Sequence, residues 1–202
     1  MKKLCKITFV VVFIILIMLK RSNAEPVEGY VINMQGDTIK CTFDKAFFGS
    51  AKYTPLNDKH AVKIDADKIK EFCYADKLPF VSINLLEHKK RIFATRLEKG
   101  SICLFEMIEA RTSGAIGSPG STSSTITYWF VSKTGGNDVI PVYVGGKYLV
   151  TLAGGDKVKK RFDDLLSDNA ALVEKFKSKD DYSQEAIQAV IQEYNRAAPK
   201  VK

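Results

Sequence analysis

The sequence predicts an α+β protein: an antiparallel β-rich body, a barrel or a sandwich, followed by a short C-terminal segment of three helices. Two periodicities carry this. Up to about Leu152, apolar and polar residues alternate in short runs separated by Gly-containing turns, as half-buried strands require. After Gly154-Gly155 the apolar spacing lengthens to about 3.6 residues, the repeat of an amphipathic helix. A third observation sets the first 24 residues apart from the fold.

Those residues read as a secretory signal. Lys2, Lys3 and Lys6 precede an apolar run, Ile7 to Leu19, of 13 residues interrupted only by Thr8. A membrane-spanning helix wants about 20. Ser22-Asn23-Ala24 then supplies the small residues that signal peptidase reads, which places cleavage between Ala24 and Glu25. Lys20 and Arg21 also suit the flank of a retained anchor, so contact with the membrane is expected only if the segment stays on. Cys5 precedes the apolar run, where no lipid-anchor motif places it. The expected address is the periplasm, the cell surface or the medium.

Removing the signal changes the counts. It holds five of the 31 basic residues and none of the 23 acidic ones, so the net charge falls from +8 to +3. The remaining 178 of 202 residues form one β-rich domain, 25–154, and a helical segment, 155–202, packed on it. The basic runs His88-Lys89-Lys90-Arg91 and Lys157 to Arg161 read as solvated faces, and no nucleic-acid partner is expected. Of four cysteines, Cys41, Cys73 and Cys103 remain. No CxxC links them, and each lies among apolar strand residues, as buried small hydrophobes do. A Cys73 to Cys103 disulfide stays open.

Val27 to Asp44 alternates about Gly36-Asp37, a pair suited to a two-residue turn. That turn would face Met34 with Ile39, Ile32 with Cys41 and Tyr30 with Phe43, putting Cys41 in the core. Ala61 to Asp65, Ile69 to Tyr74, Phe80 to Leu85 and Ile126 to Lys133 are further strands. A second hairpin, His88 to Leu97 with Ser101 to Glu109, would turn at Lys99-Gly100 and set Cys103 opposite Arg96. A third, Val139 to Val144 with Lys147 to Leu152, would turn at Gly145-Gly146 and set Tyr143 opposite Tyr148. Pro141 marks an edge or a bulge. Residues 112–125, rich in Gly, Ser and Thr, read as a mobile surface loop. In the tail Val158, Phe162, Leu165 and Leu166 form one stripe, Leu172, Val173 and Phe176 a second, and Ile187, Val190, Ile191 and Tyr194 a third. Asp156, Asn169 and Ser183 are the expected N-caps.

Both ends of this pattern resemble a group of exported Bacteroidetes proteins of no established activity. The likeness rests on Gly29-Tyr30-Val31 leading to Gly36-Asp37-Thr38-Ile39, and on Phe162 to Leu166, Leu172 to Lys175 and Ile191 to Tyr194-Asn195. The chain departs from that pattern at Cys41, where Gly is commoner, and at Asn169, where a Cys is frequent. The resemblance implies export and a hairpin-led β body closed by helices. It implies no chemistry.

Catalytic motifs are missing. There is no Gly-x-Ser-x-Gly elbow, phosphate loop or His-Glu-x-x-His helix, and Gly117-Ser118-Pro119-Gly120 is not an elbow. His60 and His88 are the only histidines, too few for a three-histidine metal site. The expected hairpin register keeps His88 far from Cys103, and Asp65, Asp67 and Glu71 cluster near a turn. No cofactor, metal or catalytic residue is assigned. The sequence therefore points to a non-enzymatic envelope or surface module that binds a protein or glycan. Its candidate contacts are an exposed strand edge, the 112–125 segment, or the aromatic group Tyr128, Trp129, Tyr143 and Tyr148. A small extracytoplasmic hydrolase or ligand-binding barrel is the alternative.

Overall fold

The computed structural model describes residues 26–43, 51–74, 77–85, 90–113, 122–133, 139–146, 149–151, 156–179 and 181–197. The signal segment, the Ala24-Glu25 junction, His88 and Tyr148 lie outside them. The strands are β1 (Val27–Asn33), β2 (Thr38–Phe43), β3 (Lys52–Pro55), β4 (Val62–Lys63), β5 (Ile69–Tyr74), β6 (Phe80–Leu85), β7 (Lys90–Glu98), β8 (Ile102–Ser113), β9 (Thr122–Lys133), β10 (Ile140–Gly146) and β11 (Leu149–Thr151). Three helices follow, α1 (Asp156–Leu166), α2 (Ala170–Lys177) and α3 (Gln184–Ala197). The α+β class holds.

The eleven strands form one antiparallel sheet in the order β11-β10-β9-β8-β7-β6-β5-β1-β2-β3-β4. It consists of two meanders, β1 to β4 and β5 to β11, joined where β5 pairs with β1. Among the described residues no ladder joins β4 to β11, so the body is an open sheet and not a closed barrel.

One core lies between the helices and β8 to β10. Ile102, Leu104, Trp129, Val131 and Val142 pack against Phe162, Leu166, Leu172, Phe176, Ile187 and Ile191. The helical stripes read from the sequence are the buried faces. Asn169 caps α2, its side chain accepting from the Leu172 amide at 3.2 Å, and Ser183 caps α3 by accepting from the Ala186 amide at 3.3 Å. Asp156 is instead the first residue inside α1, where its charge suits the helix N-terminus.

The Tyr194-Asn195 pair is the clamp of α3. The Asn195 carboxamide accepts from the Ile102 amide and donates to the Ile102 carbonyl, both at 2.8 Å, while the Tyr194 hydroxyl donates to Asp168 at 2.7 Å. Ile102 is fully buried and starts β8, so these bonds match backbone groups that water cannot reach.

A second core sits under the first meander, where Val31, Cys41, Phe43, Tyr53 and Ile69 surround Phe72. The Phe72 ring stacks on Phe80 and meets Phe93 edge-on, each at 4.9 Å between centroids. A third cluster, Ile83, Ala94, Phe105 and Phe130, occupies the sheet face opposite Trp129 and Leu104.

Three registers differ from the sequence reading. β1 and β2 pair Val31 with Ile39 and Gly29 with Cys41, closing a longer loop in which Asn33 binds the Asp37 amide and carboxylate at 2.9 Å and Gly36 takes φ +97. Cys41 is buried as expected, but Val31 rather than Ile32 shares its face. β7 and β8 place Phe105, not Cys103, opposite Arg96, because the connection is longer than a two-residue turn: Glu98 already faces Leu104, and the bulge between Arg96 and Glu98 takes back only part of the shift. β10 runs through Gly145 and Gly146, so the turn falls two residues later. A Cβ at Gly145 would collide with the Tyr143 ring, which explains a glycine inside that strand. Pro141 sits at a bulge, as anticipated.

Candidate functional site

The 112–125 segment, expected to be a loop, is strand at both of its ends, Thr112 and Ser113 in β8 and Thr122 to Thr125 in β9, while 114–121 lie outside the described residues. β8 and β9 stay paired over twelve residues each, from Ile102 opposite Lys133 to Ser113 opposite Thr122. Thr-rich β9 suits a pleated ladder because β-branched side chains favour extended backbone. Turn-forming composition masked that signal; the alternation Thr122, Ser124, Ile126 against Ser123, Thr125, Thr127 carries it.

The ladders to the flanking strands stop short of this ribbon. β7 meets β8 only at Leu104, Phe105 and Glu106, and β10 reaches along β9 no further than Ile126. From Met107 to Ser113, β8 therefore has no ladder on its β7 side among the described residues. Ile108 is 61% exposed there, and Glu109, Ala110 and Arg111 are exposed with it.

On one face of the ribbon, Tyr128 donates to Glu109 at 3.1 Å, and Arg111 donates to both Glu109 and the Tyr128 oxygen at 3.3 Å. The Arg111 guanidinium, with help from Tyr128, holds the Glu109 carboxyl below its usual range, and burial first, then Glu109, pushes the Tyr128 hydroxyl up. Glu109 stays charged at neutral pH and Tyr128 stays neutral. The opposite face carries Ile108, Ala110, Thr125 and Thr127. This projecting ribbon, with one long open edge, is the candidate site.

The aromatic group expected to form a surface is divided. Trp129 and Tyr143 are buried under the helices, 5% and 8% exposed, with ring centroids 6.0 Å apart, and the Trp129 indole donates to Glu106 at 3.0 Å. They are core residues, so their assignment to a binding surface is corrected; burying an aromatic is where most of its energy lies. Tyr128 points to the other face at the base of the ribbon.

Nucleophilic chemistry finds no arrangement among the described residues. Glu71, nearly buried, accepts from Tyr30 at 2.8 Å and from Arg96 at 2.8 Å and 3.4 Å. Burial, with Glu71 beside it, pushes the Tyr30 hydroxyl up to about 12, which makes it a donor and not a base. Glu71 is thereby drawn away from Asp65, whose carboxylate instead accepts from the Asp67 amide at 3.0 Å in a turn. Burial raises the thiols of Cys41, to about 11, and of Cys73, so neither is the thiolate that nucleophilic attack requires.

Cys73 and Cys103 are both free. They stand on β5 and β8, three strand spacings apart in one sheet, roughly 14 Å at about 4.8 Å per spacing, whereas a disulfide needs Cα atoms within about 7 Å. The bridge left open by the sequence is ruled out in this fold. His60 is exposed and pairs only with Asp58 at 3.0 Å. Among the described residues no three His, Cys, Asp or Glu side chains converge to hold a metal ion. Of the basic runs, Arg91 donates to Ser82 at 2.8 Å and Lys159 lies over the Tyr182 ring at 4.6 Å.

No family model, no curated protein and no solved structure matches the chain.

Proposed function

We propose that this is an exported, non-enzymatic module that docks another component of the cell envelope, and that the β8–β9 ribbon is its contact element. The observation that carries the reading is the edge from Met107 to Ser113, which has no ladder beside it on the β7 side among the described residues and is exposed from Ile108 to Arg111. An open strand edge offers a row of amides and carbonyls that an added strand satisfies, with side chains on alternate faces giving selectivity. The signal-like residues 1–24 supply the compartment, and the resemblance to exported Bacteroidetes proteins agrees with it. Raised thiols and a tyrosine held as a donor support binding over catalysis.

The test is capture from envelope extracts by the exported chain and by a chain in which residues 109–126 are replaced by an Asn-Gly turn, which keeps the hairpin closed. Partners should be lost with the ribbon while the fold persists. Identical partners for both chains would refute the docking role.

A further inference from the structure

Resting on that reading, we propose that the partner of the ribbon is a second copy of the chain, with the two β8 edges paired antiparallel about a two-fold axis at Ala110. Charge along the edge selects this arrangement. The open edge reads Met107-Ile108-Glu109-Ala110-Arg111-Thr112-Ser113, of which Ile108 to Arg111 are exposed, and in an antiparallel pair directly opposed residues share a face. A two-fold at Ala110 sets Glu109 opposite the other copy's Arg111 and Arg111 opposite its Glu109. A two-fold at Glu109 would oppose two carboxylates, and one at Arg111 two guanidinium groups. Only the Ala110 register brings both charge pairs together.

The side chains are held ready for it. Glu109 and Arg111 already lie on one face, 3.3 Å apart, and the Tyr128 hydroxyl is within 3.3 Å of both. Pairing turns this into a ladder of four alternating charges with a tyrosine at each end. The other face brings Ile108 opposite Thr112 on both sides of the Ala110 pair, which covers an isoleucine that is 61% exposed in the single chain. β8 is favoured over β9 because its open edge runs for seven residues, from Met107 to Ser113, whereas β10 accompanies β9 up to Ile126. An edge built to repel other strands carries charges of one sign, commonly Lys. This one alternates.

Sedimentation equilibrium of the exported chain tests the register by charge reversal. The wild-type chain should associate reversibly. Arg111→Glu alone, or Glu109→Arg alone, opposes like charges at both positions and should weaken association about tenfold. The double reversal Glu109→Arg with Arg111→Glu should restore it, and so should an equimolar mixture of the two single variants. Circular dichroism checks that each variant is folded. Single variants that associate as tightly as wild type overturn the register, and a wild-type chain that stays monomeric overturns the second copy as partner. If that monomer still captures an envelope component and loses it when the ribbon is shortened, the docking ribbon survives and only its partner was wrong. Capture that survives shortening overturns the docking reading itself.

Discussion

β8 and β9 are the same two strands along their whole length, yet their two ends live in different environments. At the near end, Ile102, Leu104 and Val131 are fully buried beneath three helices, and even the Ile102 backbone is bound by Asn195. At the far end Ile108 stands exposed and the ladder is only two strands wide. Backbone pairing is continuous across both ends, so pairing alone does not explain the difference. It comes from what covers the strands: apolar side chains attract the helices at one end, while Glu, Arg, Ser and Thr leave the other to solvent. Stability belongs to the first region and docking to the second.

Substitutions that unpack the helices should have the largest effect. Phe162→Ala removes a ring 1% exposed between the helices and the sheet and should cost about 3 to 5 kcal/mol in denaturant unfolding. A cost near 1 kcal/mol would mean the helices contribute little to the near end. Asn195→Ala strands the buried Ile102 amide and carbonyl and should cost about 1 to 3 kcal/mol, with faster hydrogen exchange starting at Ile102. Unchanged exchange there would show that the clamp is dispensable.

Alkaline pH probes the polar cluster between the meanders. The Tyr30 hydroxyl ionises at about 12 in the folded chain and near 10 when unfolded. Its folded pKa is raised, so its stabilising contribution is complete below pH 10 and is lost as pH climbs from 10 towards 12. Tyr30→Phe should therefore lose less stability than wild type across that window. Parallel losses would assign the alkaline instability to other groups. Smallest of all, Ile108→Ala should change stability by no more than about 0.5 kcal/mol, since an exposed side chain far from the cores has little packing to lose.

The near end was legible in the sequence because helical spacing is a strong signal. Phe162, Leu166, Ile187 and Ile191 repeat at 3.6-residue intervals over three turns or more, and Asn169 and Ser183 stand where caps belong. Strand pairing is weaker evidence because a shift of a few residues still gives an alternating pattern. Gly36-Asp37 looks like a two-residue turn until Asn33 is seen to close a longer loop with its side chain, which shifts the register by three and turns Val31 inward. Trp129 and Tyr143 carry no local mark that tells a buried aromatic from an exposed one; helices that begin only at Asp156, beyond the next turn, cover them. The ribbon was hidden for the opposite reason. Its Ser and Thr residues suit loops and edge strands alike, and only the partner strand decides between them.

Hydrogen exchange along β8 and β9, followed on one sample from dilute to concentrated solution, tests the division most directly. The account predicts strong protection from Ile102 to Phe105 at every concentration, while between Met107 and Ser113 the amides that face away from β9 exchange fast when dilute and slow as a second copy joins the edge. Equal protection at both ends in dilute solution would contradict it, because the far edge would then already be closed within a single chain.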